Sequence, residues 1–188
     1  VLTESKVTLP GLVEKPIGAQ ATVEFEGMIP KASGVLLDRL ELIVPPIRLP
    51  VKGKIQLGER FSIDAALSTG TLSLSRVPEW IAKGGFEAGN IELSLDMKGK
   101  GFDWKTWRTT GWLALTNGLM NVSGIGGPIQ DLYLRAHLVK NVAEIKRLSF
   151  RLLDSDVTLE GTIRNWAVKP VITAKIESNQ MDLDLLIP

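Results

Sequence analysis

Between Ile47 and Leu57, "IRLPVKGKIQL", the apolar or small residues fall on every second position. Ile47, Leu49, Val51, Gly53, Ile55 and Leu57 share one side, and Arg48, Pro50, Lys52, Lys54 and Gln56 share the other. A period of two sends successive side chains to opposite faces of an extended strand, whereas helical spacing would scatter these residues around the axis. The pattern predicts a strand with one dry and one wet face. Pro50 has no N–H for a ladder, so an edge position or a bulge is expected there.

The alternation recurs along the chain. Ala21, Val23 and Phe25 alternate with Thr22, Glu24 and Glu26, and Phe61, Ile63, Ala65 and Leu67 with Ser62, Asp64 and Ala66. Further runs are Ile91 to Met97, Leu132 to Leu138, Val157 to Ile163 and Ile172 to Ile176. Gly, Pro, Asn or Asp separates them, as antiparallel strands require. Two short helices are expected. "PEWIAK", 78–83, has Pro at its first position and Gly84-Gly85 after its end, and "DWKTWRT", 103–109, has Asp103 as a cap.

Glycine clusters raise the question of phosphate binding. A dinucleotide loop needs a strand, then glycines, then a helix whose N-terminus meets the pyrophosphate. Gly124-Ile125-Gly126-Gly127 is followed by Pro128 and an alternating run, so these glycines read as turn punctuation. Asn117-Gly118 is expected to form a two-residue hairpin turn between two strands.

An internal repeat organises the strands. At an offset of 108 positions, Arg39-Leu40 matches Arg147-Leu148, and Leu49, Val51, Gly53 and Ile55 match Val157, Leu159, Gly161 and Ile163. One inserted residue then aligns Ile63, Ala65 and Leu67 with Ile172, Ala174 and Ile176. This predicts a repeated four-strand module, and repetition of one sheet unit points to an elongated assembly. The expected division is 1–110 for a first module, partial at its N-terminus and carrying both short helices, and 111–188 for a second, in one continuous sheet.

Composition narrows the function classes. The chain of 188 residues has a formal net charge of +1 with acidic and basic residues interspersed, which gives no basic stripe for nucleic acid. It has no cysteine and one histidine, so thiol chemistry and clusters of His or Cys around zinc are excluded. His137 falls on the polar side of its strand, Glu24 and Glu26 on a solvated face, and Asp154-Ser155-Asp156 in a hairpin turn rather than a calcium loop. No enzyme activity, metal or cofactor is expected. No apolar run approaches the ~20 residues that cross a bilayer. Both ends read as cuts through a longer protein, with any membrane anchor expected outside the present chain.

Trp104, Trp107 and Trp112 lie close in sequence to Phe102, which suggests an aromatic plug at one end of the sheet, or a rim that docks protein or lipid. The larger problem is the apolar face. Each Leu or Ile left in water forfeits roughly 1.5–3 kcal/mol, and almost no helix is available to cover more than twenty such positions. The sheet must fold on itself, pack on a second sheet as a closed sandwich, or be filled by an apolar ligand.

The run "GWLALTNGLMNVSGIGGPIQDLYLRAHL", followed by "IKRLSFRLLDSDVTLEGTIRNWAVKPVITAKIESNQMDLDLL", resembles the AsmA-like repeats of Gram-negative envelope proteins, the AsmA, TamB and YhdP group. The resemblance covers Gly111 to Leu186, and Arg39 to Leu74 through the repeat. It implies an all-β, strongly curved antiparallel sheet in the periplasm, anchored to the inner membrane by a segment outside this chain. It also implies an apolar groove that carries phospholipid acyl chains toward the outer membrane, with no enzymatic role. Groove candidates are Ile47, Leu49, Val51, Ile55 and Leu57, with Val157, Leu159, Ile163, Ile172 and Ile176 in the second copy. Gly53 and Gly161 would let the sheet bend. The rival reading is a structural or docking module of the envelope with a self-packed core and envelope proteins as partners.

Overall fold

A computed structural model describes residues 7–9, 13–15, 18–29, 35–45, 47–57, 61–77, 85–122, 127–165 and 169–179. Of these residues, 75% are in strands. The strands are β1 (Val7–Leu9), β2 (Val13–Lys15), β3 (Thr22–Met28), β4 (Val35–Val44), β5 (Ile47–Leu57), β6 (Ser62–Ser68) and β7 (Leu72–Ser73). They continue with β8 (Phe86–Lys100), β9 (Arg108–Met120), β10 (Ile129–Val139), β11 (Val142–Leu152), β12 (Ser155–Arg164) and β13 (Val171–Glu177). The first two form a small hairpin of their own. The other eleven make one open, curved antiparallel sheet in the order β13-β12-β11-β10-β9-β8-β6-β5-β4-β3, with β7 beside β8. No second sheet packs on it among the described residues, so the closed sandwich is not the architecture adopted.

Local chemistry accounts for the strand ends. β5 has the bounds that its alternation predicts. Two-residue turns join β10 to β11 and β11 to β12, with Lys140 and Leu153 at positive φ (57° and 53°). Pro50 lies inside β5 rather than on an outer edge, but the ladder to β6 starts at Val51, so Pro50 has only β4 beside it. Among the described residues, helix is limited to two single turns, Leu74–Arg76 and Trp104–Thr106. Asp103 caps the second, accepting from the Lys105 N–H at 3.1 Å. The helix expected at 78–83 lies outside the described residues.

The Asn117-Gly118 turn is a correction: both residues lie inside β9, a single strand of 13 residues. Asn117 takes a φ of 53° there, and the pairing slips opposite it on β8 and β10. Left-handed backbone serves a bulge as readily as a turn. Gly127 leads through Pro128 into β10, so a strand follows the glycines.

The sheet carries the repeat in its hydrogen-bond register. Leu40 pairs with Val51 and Leu42 with Leu49 between β4 and β5; Leu148 pairs with Leu159 and Phe150 with Val157 between β11 and β12. Gly53 faces Ala65 as Gly161 faces Ala174. The modules are therefore β3 to β6 and β10 to β13, with β8 and β9 as a hairpin between them. The division expected between residues 110 and 111 falls inside β9.

Between β6 and β7 the strand is interrupted at Thr69, which is buried. Its N–H donates to the Leu93 carbonyl at 2.8 Å, and its hydroxyl accepts from the Leu93 N–H at 3.0 Å. The side chain thus replaces a carbonyl that the bulged backbone withdraws from the ladder. Thr69→Val should lower stability by about 1–3 kcal/mol by stranding that buried N–H. Thr69→Ser should recover most of the loss in urea denaturation.

Candidate functional site: the apolar face

Cross-strand partners in an antiparallel pair lie on the same face, so the register shows which side chains share a surface. One row runs Phe25, Leu40, Val51, Leu67, Leu95, Gly111, Leu138, Ala143, Ile163, Ile172. It crosses ten strands without a polar residue. A parallel row runs Leu72, Ile91, Leu115, Leu134, Leu148, Leu159, Ile176. Nine interstrand gaps of about 4.8 Å make the first row about 43 Å along the sheet. That is nearly three times the ~15 Å depth of one leaflet's acyl chains, half of a 30 Å bilayer core.

All ten groove candidates lie on this face, and their exposure is graded. Ile47, Ile55 and Val157 are buried, Leu49, Val51, Leu159 and Ile163 are half-buried, and Leu57 is just exposed. On the edge strand β13, Ile172 and Ile176 are 66% and 57% exposed, and on the opposite edge Phe25 is 67% exposed. The apolar surface is therefore self-packed in places and open at its margins. Its densest packing surrounds Leu37, Ile55, Ile63 and Ala65, with Val51, Met97 and Trp107 against them.

Curvature depends on glycines that face this side. A Cβ on Gly53 would meet the Asp64 carbonyl oxygen at 2.4 Å, and one on Gly161 the Thr173 carbonyl oxygen at 2.4 Å. At both positions the neighbouring strand comes too close for any side chain.

The aromatic cluster divides between the two faces. Trp107 covers Gly99 and stacks on Phe61 with ring centroids 5.6 Å apart, Phe61 meets Phe102 at 4.6 Å, and the Trp107 Nε1–H donates to the Gly101 carbonyl at 3.0 Å. These rings cap one end of the apolar face. Trp112 belongs elsewhere: its partners are Ser94 and His137, which puts it on the polar face. Parity in "GWLAL" carried that signal, since Trp112 alternates with Leu113 and Leu115. The Trp104 side chain lies outside the described residues.

The polar face is built from ion pairs and hydroxyls. Glu41 is buried there between Arg39 at 2.9 Å and Arg48 at 3.4 Å. On β13 a hydrogen bond from Lys175 holds the Glu177 carboxyl below its ordinary range and the ammonium above its own. Glu24 and Glu26 are exposed, and half-buried His137 lies beside Trp112. No group of three or more potential metal ligands occurs among the described residues, and none of their helices is long and apolar enough to cross a membrane.

The fold and face together define a class: a single-layer, amphipathic β-sheet with one continuous apolar face. In comparisons with protein-family models, curated proteins and solved structures, the chain finds no match.

Proposed function

We propose that the chain is a section of a lipid-carrying trough, of the AsmA-like kind that its repeats resemble, working in the periplasm of a Gram-negative bacterium. In this reading phospholipid acyl chains lie against the apolar face on their way between inner and outer membranes. The observation that supports it most strongly is the unbroken apolar row across ten strands, with no second layer over it among the described residues. A sliding acyl chain needs many weak, equivalent apolar contacts rather than one tight pocket with placed polar groups. No catalytic role is assigned. Membrane attachment and envelope-protein partners belong to the same proposal.

Native mass spectrometry of the chain incubated with phospholipid tests it. Phospholipid adducts are the expected result, retained by variants on the polar face and lost by charged variants on the apolar face. Complete absence of bound lipid would favour the rival, an envelope docking module, as would co-purification of a protein partner without lipid.

A further inference from the structure

The polar face holds a concentration of positive charge that a lipid trough does not require. The register aligns Lys54, Asp64, Lys98 and Arg108 in one row over β5, β6, β8 and β9, all on that face. Lys98 and Arg108 are direct cross-strand partners, and like charges so placed destabilise a sheet. Asp64 binds Lys98 at 2.6 Å, while the Arg108 guanidinium has no ion pair or hydrogen bond among the described residues. Two concavities, of about 450 and 600 Å³, open here and share Asp64, Lys98 and Arg108 in their walls. Five cations line them (Lys52, Lys54, Lys98, Lys100 and Arg108) against two carboxylates, Asp64 and Asp96. Five less two leaves a local surplus of +3 in a chain whose total is +1.

We infer that this row is a seat for a phosphate-bearing ligand. The chemistry favours a phosphomonoester or pyrophosphate over a carboxylate. A carboxylate would balance one of three surplus charges, whereas a phosphate carries about −1.5 to −2. The free Arg108 fork can grip two phosphate oxygens at once, and the ammonium groups of Lys98 and Lys100 supply point charges beside it. Hydroxyls of Ser62 and Thr110 in the same walls can donate to remaining oxygens. The row spans three interstrand gaps, about 14 Å, which suits one phosphate or pyrophosphate and is too short a track for a nucleic-acid backbone. Such a ligand would also relieve the Lys98–Arg108 repulsion. The seat lies on the face opposite the trough and stands whether or not lipid occupies that trough.

Two probes distinguish the source of the phosphate. Sodium pyrophosphate is titrated calorimetrically into the chain at low salt, and vesicles of phosphatidylcholine with and without phosphatidic acid are co-sedimented with it. Arg108→Gln should weaken binding about tenfold, the worth of one charge-assisted contact, without lowering Tm, because a repulsive neighbour is removed. Arg164→Gln, on the same face but far away on β12, should change binding less than about twofold. Arg108-dependent binding of pyrophosphate in solution identifies soluble phosphate as the ligand, and Arg108-dependent binding only to vesicles with phosphatidic acid identifies a lipid headgroup. Failure of both probes to bind, or an equal loss in Arg164→Gln, overturns the assignment. Val51→Glu, on the apolar face, should leave pyrophosphate affinity unchanged, which separates this result from the fate of the trough.

Discussion

Gly53→Val should destabilise the sheet by about 2–6 kcal/mol, the sum of roughly 1–3 for overpacking and 1–3 for strained backbone. Gly53 has a φ of +134°, where side chains are rarely tolerated, and an added Cβ would lie 2.6 Å from the Ala65 Cα. Neither clash partner can swing away, because both are backbone atoms of β6 held in the ladder. The equivalent Gly161 meets the same kind of contact with Ala174 at 2.9 Å but has no positive φ. Gly161→Val should therefore cost less than Gly53→Val, although the two residues occupy matching places in the repeat. Gly70→Ala is the control, since no atom lies within 4 Å of the added methyl. Denaturation midpoints in urea rank the three variants, and equal loss from Gly53→Val and Gly70→Ala would contradict the close-approach account.

Val51→Glu should leave the chain folded and abolish lipid contact. Val51 sits in the continuous apolar row, paired with Leu40 and Leu67, and is half-buried. An ionised carboxylate there has no partner and costs several kcal/mol wherever an acyl chain excludes water from it. Without lipid the same side chain can extend to solvent over the open face, so the fold survives. Photo-crosslinkers at Leu67 and Leu95 should then lose their lipid adducts, while Thr173→Glu, on the polar face of β13, should keep them. If the apolar face were an ordinary closed core, Val51→Glu would unfold the protein. Unfolding together with absence of bound lipid in the parent chain would refute the trough.

Much of the fold was legible in residue order, because alternation is a local property. Ile47–Leu57 announced a strand with its correct ends, and the matched positions around Gly53 and Gly161 announced a module whose pairs recur: Leu40–Val51 as Leu148–Leu159, and Gly53–Ala65 as Gly161–Ala174. Each candidate trough residue was assigned to the apolar side of its own strand by parity alone. The interpretation of "TNG" failed because turn and bulge demand the same backbone at Asn117; only the neighbours on β8 and β10 decide between them. The aromatic cluster divided because Trp107 lies in a loop and folds back over Gly99, while Trp112 obeys the alternation of β9.

What the sequence determined by itself is that this protein has strands with one apolar and one polar side, repeated at a fixed interval. Tertiary structure decided what those sides become. A sandwich and a single open sheet satisfy the same alternation, because each buries or displays the same residues; the order in which strands pair selects one of them. The meeting of Lys54, Asp64, Lys98 and Arg108 is likewise a fact of register, since a shift of one residue at any of three ladders would send part of that row to the other face.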